Sequence, residues 1–90
     1  KGWKKHTKMT LNLVVPLGEI EFVVFDEGTK KFFTIKLSKN NYQRLTVKAG
    51  LWMAFRGLEK ENMLLNIASI EHDPYESVNM HIDDLEYKWY

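Results

Sequence analysis

The sequence predicts an all-β fold, an antiparallel sandwich or barrel. Three observations carry this. Apolar residues alternate with period two in short runs along most of the chain. Clusters of Gly, Pro, Asn and Asp interrupt those runs at regular spacing, as turns between successive strands do. Helical periodicity is nearly absent, with room for one short turn between Asp73 and Asn79. The 90 residues are expected to form one domain spanning the whole chain.

Each element follows from its own pattern. If the N-terminal segment is extended, Lys4 and His6 fall on one strand face. Met9 to Val15 is the next run, closed by Pro16, which has no N–H for a ladder. In the run from Glu19 to Phe25, Ile20, Phe22 and Val24 share one face. The other face begins with Glu19 and Glu21 and becomes apolar at Val23 and Phe25. A strand that starts half-exposed and ends buried on both sides fits a sheet packed on a second sheet. Asp26-Glu27-Gly28-Thr29 reads as a hairpin loop leading to Lys31–Leu37, whose Phe33, Ile35 and Leu37 share a face. Ser38-Lys39-Asn40-Asn41 makes a turn before the strand Gln43–Lys48, and Ala49-Gly50 one before Leu51–Arg56. Gly57-Leu58-Glu59-Lys60 then precedes Met63–Ile70.

Composition excludes several classes of function. The chain has no cysteine, which removes disulfides, thiolate metal sites and a cysteine nucleophile. Thirteen basic and 12 acidic residues leave a net charge of +1, too little for a general nucleic-acid binder. No apolar run approaches the roughly 18 residues of a membrane span. The first residues carry no apolar stretch of a signal peptide, and a cytoplasmic location is expected. The chain opens at Lys1 without an initiator Met, so it is expected to lack N-terminal residues of the full product. No phosphate-binding loop, nucleophile elbow or dinucleotide fingerprint is present, and no cofactor is expected.

The residues that could carry chemistry are few. The three histidines are His6, His72 and His81. His72 lies between Glu71 and Asp73, but adjacent residues on an extended chain point different ways, so the plainer reading is an exposed loop histidine. Trp3, Trp52 and Trp89 could stack on a base or sugar, or fill a core or an interface. Arg44 and Arg56 are the only arginines; either could pair with a phosphate from inside a barrel or face solvent.

Taken in order, several segments resemble the dTDP-4-dehydrorhamnose 3,5-epimerase family of the cupin superfamily. Gly2-Trp3-Lys4-Lys5-His6 resembles that family's Gly-x-His-x-(His/Gln). Leu13 to Ile20 resembles its Leu-Val-x-x-x-x-Gly-x-Val with one residue fewer before the glycine, and Leu37 to Asn41 its Leu-Ser-x-Glu-Asn. Leu45 to Phe55 resembles Leu-x-Ile-Pro-x-Gly-Phe-x-His-Gly-Phe without a gap. His72-Asp73-Pro74 stands at Tyr-x-Pro, and Asp83 to Trp89, one residue shorter, at Asp-Pro-x-x-x-Ile-x-Trp. The segment Gly2 to Lys8 also resembles the Gly-Tyr-His-x-His-x-Lys of sugar 3,4-ketoisomerases.

The resemblance implies an antiparallel jelly-roll (cupin) and proton abstraction alpha to the ketone of a dTDP-4-keto-6-deoxy sugar. In the family a histidine is the base, a cation stabilises the enolate oxygen, and a tyrosine returns the proton on the opposite face. The chain departs from this set. Lys4 stands at the base histidine, Leu11 at the enolate-stabilising lysine, Met53 at a later histidine, Asn66 at one tyrosine and His72 at the proton-donating tyrosine. Of the cupin metal pattern, which would fall at Lys4, His6, Leu11 and Met53, only His6 remains, so no metal is expected. The expected catalytic residues are Lys4, His6 and His72; the expected substrate-binding residues are Arg44, Arg56, Asn66 and Trp52. Either the chain is a diverged epimerase or isomerase, or it is a non-catalytic cupin that binds a small carbohydrate-type ligand or serves as a dimeric scaffold. Family members dimerise, often by exchanging N-terminal strands. A homodimer is therefore expected, with Trp3, Trp89 and Tyr90 as interface aromatics.

Overall fold

In the computed structural model, which describes residues 2–71, 73 and 75–89, alternation places eight strands in two antiparallel sheets. The strands are β1 (Gly2–His6), β2 (Leu11–Leu17), β3 (Glu19–Asp26), β4 (Lys31–Ser38), β5 (Leu45–Val47), β6 (Trp52–Gly57), β7 (Met63–Asn66) and β8 (Ser77–His81). A five-stranded sheet runs in the order β4-β3-β6-β1-β8, and a three-stranded sheet in the order β5-β2-β7. Successive strands mostly switch sheets, so the chain winds as an antiparallel jelly-roll sandwich, as the sequence predicts. No helix among the described residues is long and apolar enough to cross a membrane.

The inner faces meet in an apolar core. Ile20, Phe22, Val24, Leu37 and Met53 from the larger sheet pack on Leu11, Leu13, Val15 and Val47 from the smaller one, all buried. β3 is buried on both faces, as its pattern anticipates, but the cover on its second face is not a sheet. The segment after β8 folds back across the outside of the larger sheet. There Ile82, Leu85, Tyr87 and Trp89 pack on Trp3, Val23, Phe25, Trp52 and Ala54.

Trp3 anchors that strap. Its ring is fully buried, its Nε1 donates to the carbonyl of Ile82 at 3.1 Å, and it lies 6.0 Å from Trp89 and 6.5 Å from Tyr87. The expected interface role of Trp3 is therefore corrected, because its surface is used up within its own chain. Tyr90 lies outside the described residues.

Strand ends differ from the sequence reading for local reasons. β2 runs through Pro16 to Leu17. Pro16 lies beyond the Leu11–Leu13 stretch that pairs with β5, and the β7 register shifts between Val14 and Leu17, so no regular rung needs its N–H. β5 shrinks to three residues because only Leu45–Val47 oppose β2. The short turn expected within 73–79 occupies its first half, where the Glu76 N–H donates to the Asp73 carbonyl at 3.2 Å; from Ser77 the chain is strand, pairing with β1 to His81, and a 3-10 turn capped by His81 follows at Ile82–Asp84. The β2–β3 turn needs Gly18, at φ 80°, where a side chain would strike Asn62 and the carbonyl of Glu61.

Removing the strap's anchor has a calculable cost. Trp3→Ala is expected to lower stability by about 3–5 kcal/mol, as deleting a buried large aromatic does, read from the midpoint of urea unfolding. A loss below about 1 kcal/mol would show that the strap does not depend on Trp3.

Candidate functional site

Alternation along β1 sorts its side chains. Trp3 and Lys5 face the strap side, where Lys5 sits 5.0 Å over the Trp52 ring and 3.1 Å from Glu27. Lys4 and His6 lie on the side of the space between the sheets, His6 half-buried and Lys4 still exposed to solvent at its edge. Lys4 is opposite Met53 of β6 and Asn79 of β8. Here the core stops short of filling the sandwich and leaves a cavity of about 550 Å³. Lys4, His6, Asn66 and Asn79 supply its polar side chains, and Leu11, Leu13, Met53, Phe55 and Leu64 form apolar walls.

His6 is held by a buried acid. Its Nδ1 hydrogen-bonds the carboxylate of Glu76, which is only 2% exposed and immediately precedes β8. The other carboxylate oxygen accepts from the backbone N–H of Lys8 at 3.0 Å and of Met9 at 3.1 Å. The Glu76 carbonyl in turn accepts from the N–H and the hydroxyl of Thr7, each at 2.6 Å. Burial pushes the Glu76 carboxyl upward. The hydrogen bonds from His6, Lys8 and Met9, together with the charge of His6, outweigh it and hold the group at about 2. An ionised carboxylate only accepts hydrogen bonds, so Nδ1 carries the hydrogen, and Nε2 is the nitrogen left for the cavity.

The expected site residues separate into groups. The cavity brings together Lys4, His6 and Asn66, and with them Leu11 and Met53, the two apolar departures from the family pattern. Asn66 also accepts from the N–H of Asn12 at 3.2 Å. Trp52 and Arg56 lie on the opposite face of the larger sheet. Trp52 is buried in the strap cluster; Arg56 pairs with Glu21 at 2.7 Å and lies 5.9 Å from the Trp89 ring. Arg44 is exposed ahead of β5 and does not line the cavity. His72 lies outside the described residues. Among the described residues, no group of three or more His, Cys, Asp or Glu could hold a metal ion.

Glu76 is the residue that sequence reasoning missed. It belongs to an acid-rich stretch, and nothing in the pattern separates it from its neighbours. Only closure of the β1–β8 pair, across 70 residues of chain, brings it to His6.

With this geometry established, likeness to known proteins becomes informative. The fold matches the crystal structure of a dTDP sugar isomerase from Desulfovibrio desulfuricans G20, with a TM-score of 0.85 and 28% sequence identity. The match covers 92% of this chain and 57% of that protein, so this chain accounts for little more than half of its length. No protein-family model matches the chain, and no curated protein does.

The state of Glu76 links stability to pH. Its carboxyl lies below its ordinary value of 4.5, so the unfolded chain binds its proton first as pH falls. Its contribution is complete above about pH 4.5 and disappears as pH falls through about 2. Urea midpoints are expected to decline across that window. Glu76→Gln is expected to be less stable than the wild type at neutral pH and to show a shallower acid decline. An equally steep decline in the variant would place the titration elsewhere.

Proposed function

We propose that the chain is a diverged sugar isomerase or epimerase that moves a proton alpha to the ketone of a 4-keto nucleotide sugar. The observation that carries the reading is the His6–Glu76 pair opening, beside Lys4, into a cavity with otherwise largely apolar side-chain walls. Likeness to a dTDP sugar isomerase supports a nucleotide-sugar ligand.

In this reading His6 is the general base. Glu76 orients the ring and stabilises the imidazolium that forms, so proton transfer requires no movement of the ring. Asn66 and Asn79 offer hydrogen bonds to sugar hydroxyls. The Lys4 side chain is the positive group beside the ketone. His72 is assigned the return of the proton on the opposite face. Arg44, Arg56 and Trp52 take no part at the cavity. The homodimer belongs to the same reading: the open sides of edge strands β4 and β8 support pairing between chains. Sedimentation at micromolar concentration is expected to give twice the chain mass, and a monomer would remove this element.

The test is exchange. With dTDP-4-keto-6-deoxyglucose in heavy water, NMR is expected to show slow deuterium uptake at C3 or C5. His6→Ala should reduce the rate by about 100-fold or more. Binding of the nucleotide sugar without exchange would support the ligand-binding alternative instead.

A further inference from the structure

We propose that Lys4 acts covalently, forming a protonated imine with the ketone carbon of the substrate. The inference rests on the 4-keto-sugar reading above and adds the device that makes the alpha proton removable. Removal of that proton leaves an electron pair that must be stabilised. Across the cavity from β1 the walls are Leu11, Leu13 and Leu64, with Met53 alongside, none of which donates a hydrogen bond; Asn66, beside Leu64, offers a neutral amide N–H but no positive charge. Among the described residues lining the cavity Lys4 is the only lysine or arginine, and it forms no ion pair with another described residue. Lys4 and His6 are alternate residues on one face of β1, with Cα atoms about 7 Å apart. One sugar carbonyl carbon and its neighbouring C–H can therefore address both side chains at once.

The proton balance closes within these two residues. His6 Nε2 takes a proton from the Lys4 ammonium. The free amine adds to the ketone carbon, forming a C–N bond, and one of the two protons on the now cationic nitrogen passes to the carbonyl oxygen, which becomes a hydroxyl. His6 returns its proton to that hydroxyl, which leaves as water. The products are the protonated imine and a neutral His6. His6 then removes the alpha proton. The C–H electron pair becomes a C=C bond, and the C=N pair moves onto nitrogen to give a neutral enamine. Reprotonation at carbon and hydrolysis restore the ketone and Lys4.

This route permits proton exchange and inversion at the carbon beside the ketone. It does not permit migration of the ketone, because the enamine would then leave Lys4 attached to the sugar through a C–N single bond. The inference thus narrows the reaction to epimerisation or exchange.

The experiment incubates wild type and Lys4→Arg with dTDP-4-keto-6-deoxyglucose and sodium cyanoborohydride, and maps adducts by peptide mass spectrometry. Deuterium exchange without reductant is followed in parallel, and urea midpoints check that the variant is folded. The expected result is a reduced sugar adduct on Lys4 of the wild type. The charge-conserving variant should have no such adduct and at least 100-fold slower exchange. Exchange without an adduct on Lys4, adducts confined to other lysines, or a variant that exchanges at the wild-type rate would each overturn the imine while leaving the alpha-proton reading standing. An adduct on Lys4 without exchange would keep the imine and remove the proton-transfer reading. Neither adduct nor exchange would overturn both.

Discussion

The buried Glu76 carboxylate is the constraint from which both the fold and the site at the β1 end follow. A buried anion is tolerated only where donors replace the water it loses. Here the donors are the His6 ring and the N–H groups of Lys8 and Met9. These residues flank the point where the chain leaves the larger sheet for the smaller one. Satisfying Glu76 therefore fixes the β1–β2 crossover, seats the start of β8 beside the end of β1, and orients His6. The bonds that the Thr7 N–H and hydroxyl donate to the Glu76 carbonyl reinforce the same closure. The groups that settle an electrostatic demand of folding are also those that present a basic nitrogen to the cavity.

β1 serves two surfaces by alternation alone. Its outward residues, Trp3 and Lys5, join the larger sheet to the aromatic strap and to Glu27. Its inward residues, Lys4 and His6, line the cavity. A slip of one residue in its pairing with β6 or β8 would send the lysine–histidine pair into the strap and Trp3 into the cavity. Deep burial of Trp3 is thus a register lock for the site, acting from the far side of the sheet.

The fold was legible because period-two alternation and turn residues are local signals. β3 shows this best: its change from one buried face to two is written in Glu19-Ile20-Glu21-Phe22-Val23-Val24-Phe25, and the structure places the inter-sheet core and the strap on its two sides. What the pattern leaves open is which element supplies the second cover, since a sheet and an aromatic strap make the same demand on β3. The site was legible only in part. Lys4, His6 and Asn66 meet at the cavity because strand parity is local and the order of motifs places them. Arg56 and Trp52 sit on the strap side by that same parity: they share it with Ala54, while Met53 and Phe55 take the cavity side. Glu76 was not legible, because its role depends on a closure between the two ends of the chain.

The cavity's apolar walls also bear on how any chemistry there must work. Where Leu11 and Met53 stand, the resembled family has a cation and a histidine, so on the proposed function the stabilisation of negative charge falls to β1. A charge developing at a sugar carbonyl would find its positive partner only two residues from the base. In that proposal base and electron sink lie on one strand, β1, which pairs with β6 on one side and β8 on the other. Their spacing is set by the pleat rather than by the packing of separate elements. That arrangement needs few supporting groups, which accords with a cavity whose remaining polar side chains, among the described residues, are two asparagines. It also restricts geometry. Both groups approach the substrate from the same strand, so a proton delivered to the opposite face must come from another element, and the acid is the part of the site that β1 cannot supply.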